Sequence, residues 1–188
     1  MKVVVTGGCG KIGKWVVREL LHCNNGISHS VTVFDRFAGP EQEQVHYLAG
    51  DILDLGQVFE AVSGADAIIH LAAIRKNGLV PDDVTFRTNV MGAFNVHEAA
   101  RRLGISRVVT ASSQAILGWD YREKDFFPEY LPIDEDHPVN PQDAYGLSKE
   151  TTEAISRSYA QLGMDTIILR PNFVVSPEQL NQLTREGG

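Results

Sequence analysis

The stretch that decides the fold is Lys2–Gly13, with the sequence KVVVTGGCGKIG. Its β-branched run predicts a buried strand, and the apolar spacing after Gly13 predicts a helix. A strand, a glycine-rich turn and a helix in direct succession form the context in which a dinucleotide-binding turn is recognised. Gly7 would make the tight turn, Gly10 would let the backbone approach a pyrophosphate, and Gly13 would let helix and strand pack closely.

An acidic residue follows at the distance that such a turn requires. A second predicted strand, Ser30–Phe34, ends in Asp35, 22 residues after Gly13. A carboxylate there can bind the adenosine ribose hydroxyls and would repel a 2′-phosphate, which favours NAD over NADP. Arg36 works against this preference because an arginine at that place could pair with the phosphate, so NADP stays open as the less favoured cofactor.

Strands and helices alternate along the rest of the chain. Further strands are predicted at 45–48, 67–71, 107–111 and 164–169, and helices at 54–62, 81–103 and 144–162. This alternation predicts an α/β fold, a doubly wound parallel sheet (Rossmann fold) with helices on both faces. Ligands of such sheets bind at the carboxyl ends of the strands. The glycine turn, Asp35, Asp51, Leu71 and Ser112–Ser113 all fall at these ends.

The long stretch 114–142 is expected to be irregular and is rich in aromatic and acidic residues. Loops of that length in compact domains are usually functional or disordered, and the aromatic content speaks against disorder. Two interpretations are equally favoured. The segment covers the ligand site and contacts substrate, or its aromatic side chains simply pack it against the body.

The composition limits the classes of function. A length of 188 residues suits one domain, and no apolar stretch approaches the ~20 residues of a membrane span. A net charge of −7 argues against a nucleic-acid surface. Cys9 and Cys23 are too few for a disulfide framework or a metal site. We therefore expect a cytoplasmic protein with no metal, no nucleic-acid partner and no membrane partner.

Tyr145 and Lys149 lie four residues apart, on one face of the helix predicted at 144–162. A phenol normally titrates near ~10, and a neighbouring cation favours the phenolate and lowers that pKa. Such a pair can act as an acid–base device. An isolated pair of this kind is usually two surface residues, and only the glycine turn and the strand-end residues change that interpretation.

Seven short motifs occur in order along the chain. They are Gly7-x-x-Gly10-x-x-Gly13, Asp51-Ile52, His70-Leu71-Ala72-Ala73, Asn89-Val90-x-Gly92, Ser112-Ser113, Tyr145-x-x-x-Lys149 and Arg170-Pro171-Asn172. Together they resemble the extended short-chain dehydrogenase/reductase family, and within it the NAD-dependent epimerase/dehydratase branch, which acts mostly on nucleotide sugars. The resemblance covers essentially the whole chain.

The resemblance implies a role for each matching residue. Tyr145 would move the proton of a substrate hydroxyl or carbonyl, Ser113 would hydrogen-bond the same oxygen, and Lys149 would hold the nicotinamide ribose and lower the pKa of Tyr145. Together with the residues named above, the cofactor-binding set is Gly7, Gly10, Lys11, Ile12, Gly13, Asp35, Arg36, Asp51, Ile52, Leu71, Ala72, Ala73, Thr88, Asn89, Tyr145, Lys149 and Asn172.

The function implied is that of an NAD-dependent enzyme that moves a hydride between nicotinamide and a carbinol carbon of a sugar or nucleotide sugar. Two alternatives stay open, a uronate-type sugar dehydrogenase and an NAD-binding sensor or interaction protein without turnover. Leu117 stands where the family usually has a tyrosine, and Phe173 stands where an asparagine often meets substrate. These departures leave the sugar undetermined.

The division of the chain also follows from the resemblance. Residues 1–175 would form the NAD-binding domain with the catalytic residues, and 176–188 would begin a C-terminal substrate region that is largely absent, because family members are usually longer. We expect such a sheet to expose an edge strand and apolar surface. Either the chain alone would have poor stability, or a partner would cover that surface, and a homodimer is one such arrangement.

Overall fold

A parallel sheet of six strands organises the part of the chain that the computed structural model describes, which is residues 1–22, 29–39, 44–176 and 179–180. The strands are β1 Lys2–Thr6, β2 Ser30–Asp35, β3 Val45–Ala49, β4 Ala67–His70, β5 Arg107–Ala111 and β6 Asp165–Leu169. The helices are α1 Gly13–His22, α2 Leu55–Val62, α3 Asp82–Arg102 and α4 Ala144–Gln161.

The strand order is β3-β2-β1-β4-β5-β6, and every neighbouring pair is parallel. Val5 of β1 pairs with Val33 of β2 on one side and with Ile69 of β4 on the other. The chain first builds outward from β1 to β3 and then returns to continue on the other side of β1. The switch point of the sheet therefore lies between β1 and β4, where ligands of doubly wound sheets bind.

Two apolar layers confirm the predicted helices on both faces. Successive side chains of a strand point to opposite faces. Val4 accordingly packs with residues of α2, α3 and α4, while Val3 and Val5 pack with Val17 of α1. The doubly wound fold predicted from the sequence is therefore correct.

The predicted element boundaries agree with the structure to within about two residues. Leu71 and Met164, which were assigned to strands, lie just outside β4 and β6. Asp54 is the N-cap of α2, as its position before the helix suggests, and its side chain accepts a hydrogen bond from the Gln57 N–H. Cys23 lies outside the described residues.

The predicted uncovered surface is found at β6. Ile167 and Leu169 are 55% and 54% exposed, on the face of β6 that points away from α4. No described helix covers this part of the sheet. The sequence also predicts a short helix at 179–185, of which the structure describes only residues 179–180.

Candidate active site

The carboxyl ends of β1, β4 and β5 border a groove of ≈ 830 Å³, a size typical of ligand pockets. Sixteen of the predicted site residues line it. They are Gly7, Gly10, Lys11, Ile12, Gly13, Asp35, Arg36, Ile52, Leu71, Ala72, Ala73, Thr88, Ser113, Tyr145, Lys149 and Asn172. The structure thus brings residues separated by up to 165 positions to one site at the switch point.

The glycine turn has the shape that a pyrophosphate needs. A Cβ on Gly7 would lie 2.6 Å from the Ala72 nitrogen, and one on Gly13 would lie 2.3 Å from the Gly7 oxygen. Neither position has room for a side chain, since the turn, β4 and α1 are in direct contact there. At Gly10 the nearest atom would be the Gly7 oxygen at 3.1 Å. The turn leads into α1, whose first N–H groups form an anion site, so this end of the groove fits a dinucleotide.

Asp35 is held beside the glycine turn. One of its carboxylate oxygens accepts a hydrogen bond from the Cys9 N–H at 3.0 Å. Its other oxygen has no hydrogen-bond partner among the described residues and is available to a ribose. Arg36 lines the same end of the groove without an acidic partner in the described part of the chain. Both residues that bear on the choice between NAD and NADP are therefore in place.

Helix α4 begins at the groove because Asp143 caps it. One oxygen of Asp143 accepts hydrogen bonds from the N–H groups of Tyr145 and Gly146, at 2.9 and 3.0 Å. This cap fixes the first turn, which carries Tyr145, and the next turn carries Lys149. Both side chains are almost fully buried, with 8% and 6% exposure.

The three residues proposed as catalytic are close together. The Lys149 Nζ lies 5.9 Å from the centre of the Tyr145 ring and donates a hydrogen bond to the Ala111 carbonyl at 2.7 Å. The Ser113 side chain neighbours the Tyr145 phenol and acts to lower its pKa, and the Ser113 hydroxyl oxygen accepts a hydrogen bond from the Ala115 N–H at 3.1 Å. Ser113 is positioned by the 3-10 turn Gln114–Leu117, of which it is the N-cap.

Burial dominates the acid–base properties of this pair. It lowers the pKa of Lys149 from 10.5 to about 8. Burial also raises the pKa of Tyr145, and the neighbouring Ser113 hydroxyl opposes this rise only in part. The nearby Tyr121, Asp143 and Asp120 raise the Tyr145 pKa further. The expectation that Lys149 lowers the Tyr145 pKa was therefore wrong for the protein's own groups.

Two predicted cofactor residues do not line the groove. The Asp51 carboxylate accepts from the Leu53 N–H at 2.9 Å and shapes the turn before α2. The Asn89 side chain accepts from the Ile74 N–H at 2.7 Å and donates to the Ile74 carbonyl and the Ser148 hydroxyl. Asn89 thus ties the loop after β4 to α4, and its neighbour Thr88 is the residue of α3 that reaches the groove.

The groove also contains side chains that the sequence reasoning missed. Gln114, Asp120 and Tyr121 come from the irregular stretch, and Arg75 and Lys76 follow β4. Arg75 and Lys76 come soon after the motif His70-Leu71-Ala72-Ala73, so their place at the groove could have been predicted from the sequence. Long-range packing places Asp120 and Tyr121 at the groove, and the periodicity of the sequence does not predict such packing.

The irregular stretch both lines the groove and is packed by its own aromatic side chains. Asp120 and Tyr121 line the groove. Elsewhere in the stretch, Trp119 and Tyr130 both contact the buried His137 ring. The centre of that ring lies 5.8 Å from the Trp119 ring centre and 4.9 Å from the Tyr130 ring centre. One end of the segment therefore contributes to the site, and its aromatic cluster packs it in place.

The described ranges lack two other features that would indicate a function. They contain no group of three or more His, Cys, Asp or Glu residues arranged to hold a metal ion. Within the same ranges, no helix combines the length and apolarity that a membrane span needs.

Comparison with protein families gives a match over almost the full length. The model of the "NAD dependent epimerase/dehydratase family" matches residues 3–187. Among curated proteins, the putative UDP-glucose 4-epimerase of Methanocaldococcus jannaschii is 32% identical over 190 residues, which cover 94% of this chain and 57% of that protein. The uronate dehydrogenase of Pseudomonas syringae pv. tomato is 31% identical, with coverage of 90% and 58%.

A solved structure shows the same arrangement. A short-chain dehydrogenase/reductase superfamily protein from Agrobacterium tumefaciens, crystallised with bound NAD, superposes with a TM-score of 0.76 at 32% identity. The match covers 90% of this chain and 48% of that chain. The present chain therefore spans about half the length of the proteins that it matches.

Proposed function

Because the chain belongs to the NAD-dependent epimerase/dehydratase family, we propose that it binds NAD in the groove and acts on a carbinol carbon of a sugar or nucleotide sugar. The observation that carries the proposal is the convergence of Ser113, Tyr145 and Lys149 on the groove that begins at the glycine turn. NAD, when bound, would supply the hydride acceptor or donor for this reaction.

The chain's own residues would position the substrate and move its proton. Tyr145 exchanges a proton with the substrate oxygen, and Ser113 hydrogen-bonds the same oxygen. Because its pKa is raised, the Tyr145 phenol is protonated at neutral pH and is set to donate a proton to a carbonyl. In the oxidation direction it must first lose that proton, so the rate of sugar oxidation should rise with pH above neutrality.

The cofactor contacts would follow the groove from end to end. Gly7, Gly10 and Gly13 would admit the pyrophosphate, Asp35 would bind the adenosine ribose, and Lys149 would bind the nicotinamide ribose. Leu71, Ala72, Ala73 and Asn172 line the groove between and beside these points. We propose NAD rather than NADP because the negative charge of Asp35 would repel the 2′-phosphate of NADP.

A uronate-type dehydrogenase is the second candidate. Arg75 and Lys76 line the groove, and neither has an acidic partner in the described part of the chain. Two such cations favour an anionic substrate, and the carboxylate of a uronic acid would meet that requirement without a nucleotide. Phe173, 76% exposed at the groove, offers no hydrogen bond from its side chain to a nucleotide.

The assembly and location are proposed on more general grounds. Residues 1–175 would be the dinucleotide-binding domain, and 176–188 would begin the substrate region. Exposed apolar side chains on α3 and α4, among them Phe94 and Leu147, suggest a homodimer through these helices. The small number of cysteines fits the cytoplasm.

The decisive experiment is the Tyr145→Phe substitution, with Tyr130→Phe as the control. Tyr130 hydrogen-bonds Asp134 and does not line the groove. We expect Tyr145→Phe to keep the NADH affinity of the wild type, measured by fluorescence titration, and to lose turnover by about 10²-fold or more on acidic sugars and nucleotide sugars. Tyr130→Phe should retain both.

The outcomes separate the candidate functions. Turnover that survives in Tyr145→Phe would contradict the assigned role of the phenol. NADH binding by the wild type without turnover on any sugar of either class would favour the NAD-binding sensor or interaction protein.

A further inference from the structure

The segment after β6, residues 170–174, is anchored firmly at its first residue. Arg170 makes a bidentate ion pair with Glu153 of α4, with both N–O distances 2.8 Å, and donates to the Glu135 carbonyl at 2.9 Å. The Glu153 side chain is 1% exposed. Paired charges that are this well buried are difficult to separate, because an unpaired ion would remain in the interior.

The next part of the segment is held to the end of β5. The Ser112 N–H donates to the Leu169 carbonyl at 2.8 Å, and the Gln114 N–H donates to the Pro171 carbonyl at 3.2 Å. Up to Pro171, the chain therefore follows the same side of the groove as β5 and α4.

The far end of the segment reaches the opposite side. The Lys11 Nζ donates a hydrogen bond to the Val174 carbonyl at 3.0 Å. Lys11 belongs to the glycine turn after β1, whereas Ser112 and Gln114 follow β5, and β4 lies between β1 and β5 in the sheet. Residues 170–174 thus cross the groove above the end of β4, and we call them the strap.

The two ends of the strap differ greatly in strength. Among the described residues, the Arg170 end has three hydrogen bonds and a buried carboxylate, while the Val174 end has one hydrogen bond from an exposed lysine. The contact at Lys11 can therefore open while the base at Arg170 stays in place. A hinged cover of this kind is suited to admit and retain a ligand.

We propose that Lys11 closes the strap over the pyrophosphate of a bound dinucleotide. An ammonium group has three donors, and one donor suffices for the Val174 carbonyl. The other two can reach phosphate oxygens at the glycine turn, so that the same side chain binds the ligand and fastens the strap. This inference rests on the proposed function, because it requires a dinucleotide in the groove.

The strap has a consequence for the reaction cycle. A dehydrogenase must release the reduced cofactor in every cycle, and a slow opening step would then limit its turnover. An epimerase returns the hydride to the substrate and has no need to exchange the cofactor. The strap accordingly sets how long the dinucleotide stays bound.

The test compares Lys11→Met with Lys14→Met in the full 188-residue chain. Lys14 lies in the first turn of α1, three residues after Lys11, is also exposed, carries the same charge and does not line the groove. The release rate of NADH is measured by stopped-flow fluorescence. Closure of the strap is measured separately, from the rate of chymotrypsin cleavage after Phe173, with the product identified by mass spectrometry.

We expect Lys11→Met to release NADH about tenfold faster or more, as the loss of a charge-assisted hydrogen bond predicts. NADH should slow cleavage after Phe173 in the wild type and in Lys14→Met, but not in Lys11→Met. Equal release rates in the two variants would overturn the proposal. Faster release with unchanged protection of Phe173 would also overturn it, because Lys11 would then bind phosphate without fastening the strap.

The outcome for the wild type separates this inference from the proposed function. A wild-type chain that does not bind NADH at all contradicts both. A wild-type chain that binds NADH, combined with either of the two results above, contradicts the strap alone.

Discussion

Lys149 is an ammonium group with almost no water around it. Its side chain is buried between α4 and β5, and it donates a hydrogen bond to the Ala111 carbonyl. Burial is the cause of its lowered pKa of about 8. A shift of this size from 10.5 corresponds to about 3 kcal/mol of unfavourable desolvation. This desolvation cost is the consequence of placing a cation where it can contact a ribose and the Tyr145 phenol.

This lowered pKa can be measured directly. In protein labelled with ¹³C at the lysine Cε, one resonance should titrate near pH 8 and should be missing from Lys149→Met. Between about pH 8 and 10.5 the unfolded chain holds more protons on this lysine than the folded chain, so its contribution to stability rises with pH. The free energy of unfolding of the wild type should therefore increase relative to Lys149→Met across that window. A Lys149 resonance that titrates above pH 10 would contradict the burial argument.

Asp35 and Arg36 act in opposite directions on the cofactor preference. Asp35→Ala should narrow the ratio of NADH to NADPH affinity, because the carboxylate that repels a 2′-phosphate is gone. Asp35→Asn should do the same and can still accept the hydrogen bond from Cys9. Arg36→Ala should widen the ratio. Fluorescence titrations with both cofactors check this, and a ratio that is unchanged in all three variants would show that neither residue contacts the ribose.

At the scale of the element, the N-cap of α4 connects stability with the site. Asp143 and Asp54 both cap a helix through a carboxylate oxygen. Only Asp143 lies next to a residue of the proposed catalytic group. Burial raises the pKa of Asp143, while the hydrogen bonds from Gly146 and Tyr145 oppose that rise.

Asp143→Ala and Asp54→Ala should each cost about 1 kcal/mol of stability, the usual value of an N-cap. Only Asp143→Ala should also move the pKa of Tyr145, because only that cap fixes the turn that carries the phenol. Urea unfolding gives the stability, and difference absorbance of the phenolate gives the titration. If both variants shifted the Tyr145 pKa equally, the cap would have no specific effect on the site.

The sequence allowed prediction of those elements whose signal is local. The run Lys2–Gly13 specifies a strand, a turn and a helix within twelve residues, and the alternation that follows leaves few possible topologies. The residues at the strand ends could be predicted for the same reason, because their signal is also local in the sequence. Each of them follows directly on a recognisable apolar run.

The parts that were not predicted depend on contacts between distant residues. The Asn89 side chain lies on the periodic helix α3, but its partners, Ile74 and Ser148, are 15 and 59 positions away. The pKa of Tyr145 depends on burial and on Asp120, which is placed by the irregular stretch. Periodicity says nothing about either, so the direction of the Tyr145 pKa was wrong although the residue itself was correctly placed.

At the scale of the whole molecule, α3 and α4 form an outward face that is unusually apolar. Met91 and Phe94 of α3 are 42% and 39% exposed, Leu147 of α4 is 46% exposed, and Leu162, which follows α4, is 66% exposed. Met91 and Phe94 are three residues apart and therefore share one side of α3. Arg101 at the end of this face is paired with Glu98, while the exposed Arg87, one turn before Met91, has no ion-pair partner among the described residues. A two-fold axis would bring the same face of a second copy against it.

We therefore expect the wild type to sediment as a dimer in analytical ultracentrifugation and Phe94→Asp to sediment as a monomer. The substitution places a carboxylate at the centre of the contact, where it would be buried without a partner. Phe127→Asp is the control, because Phe127 is 91% exposed on the irregular stretch and lies on neither helix. It should leave the dimer intact. A wild type that is monomeric at high protein concentration would rule out this interface, and a Phe94→Asp variant that stays dimeric would place the interface elsewhere, with the exposed edge at β6 as the next surface to test.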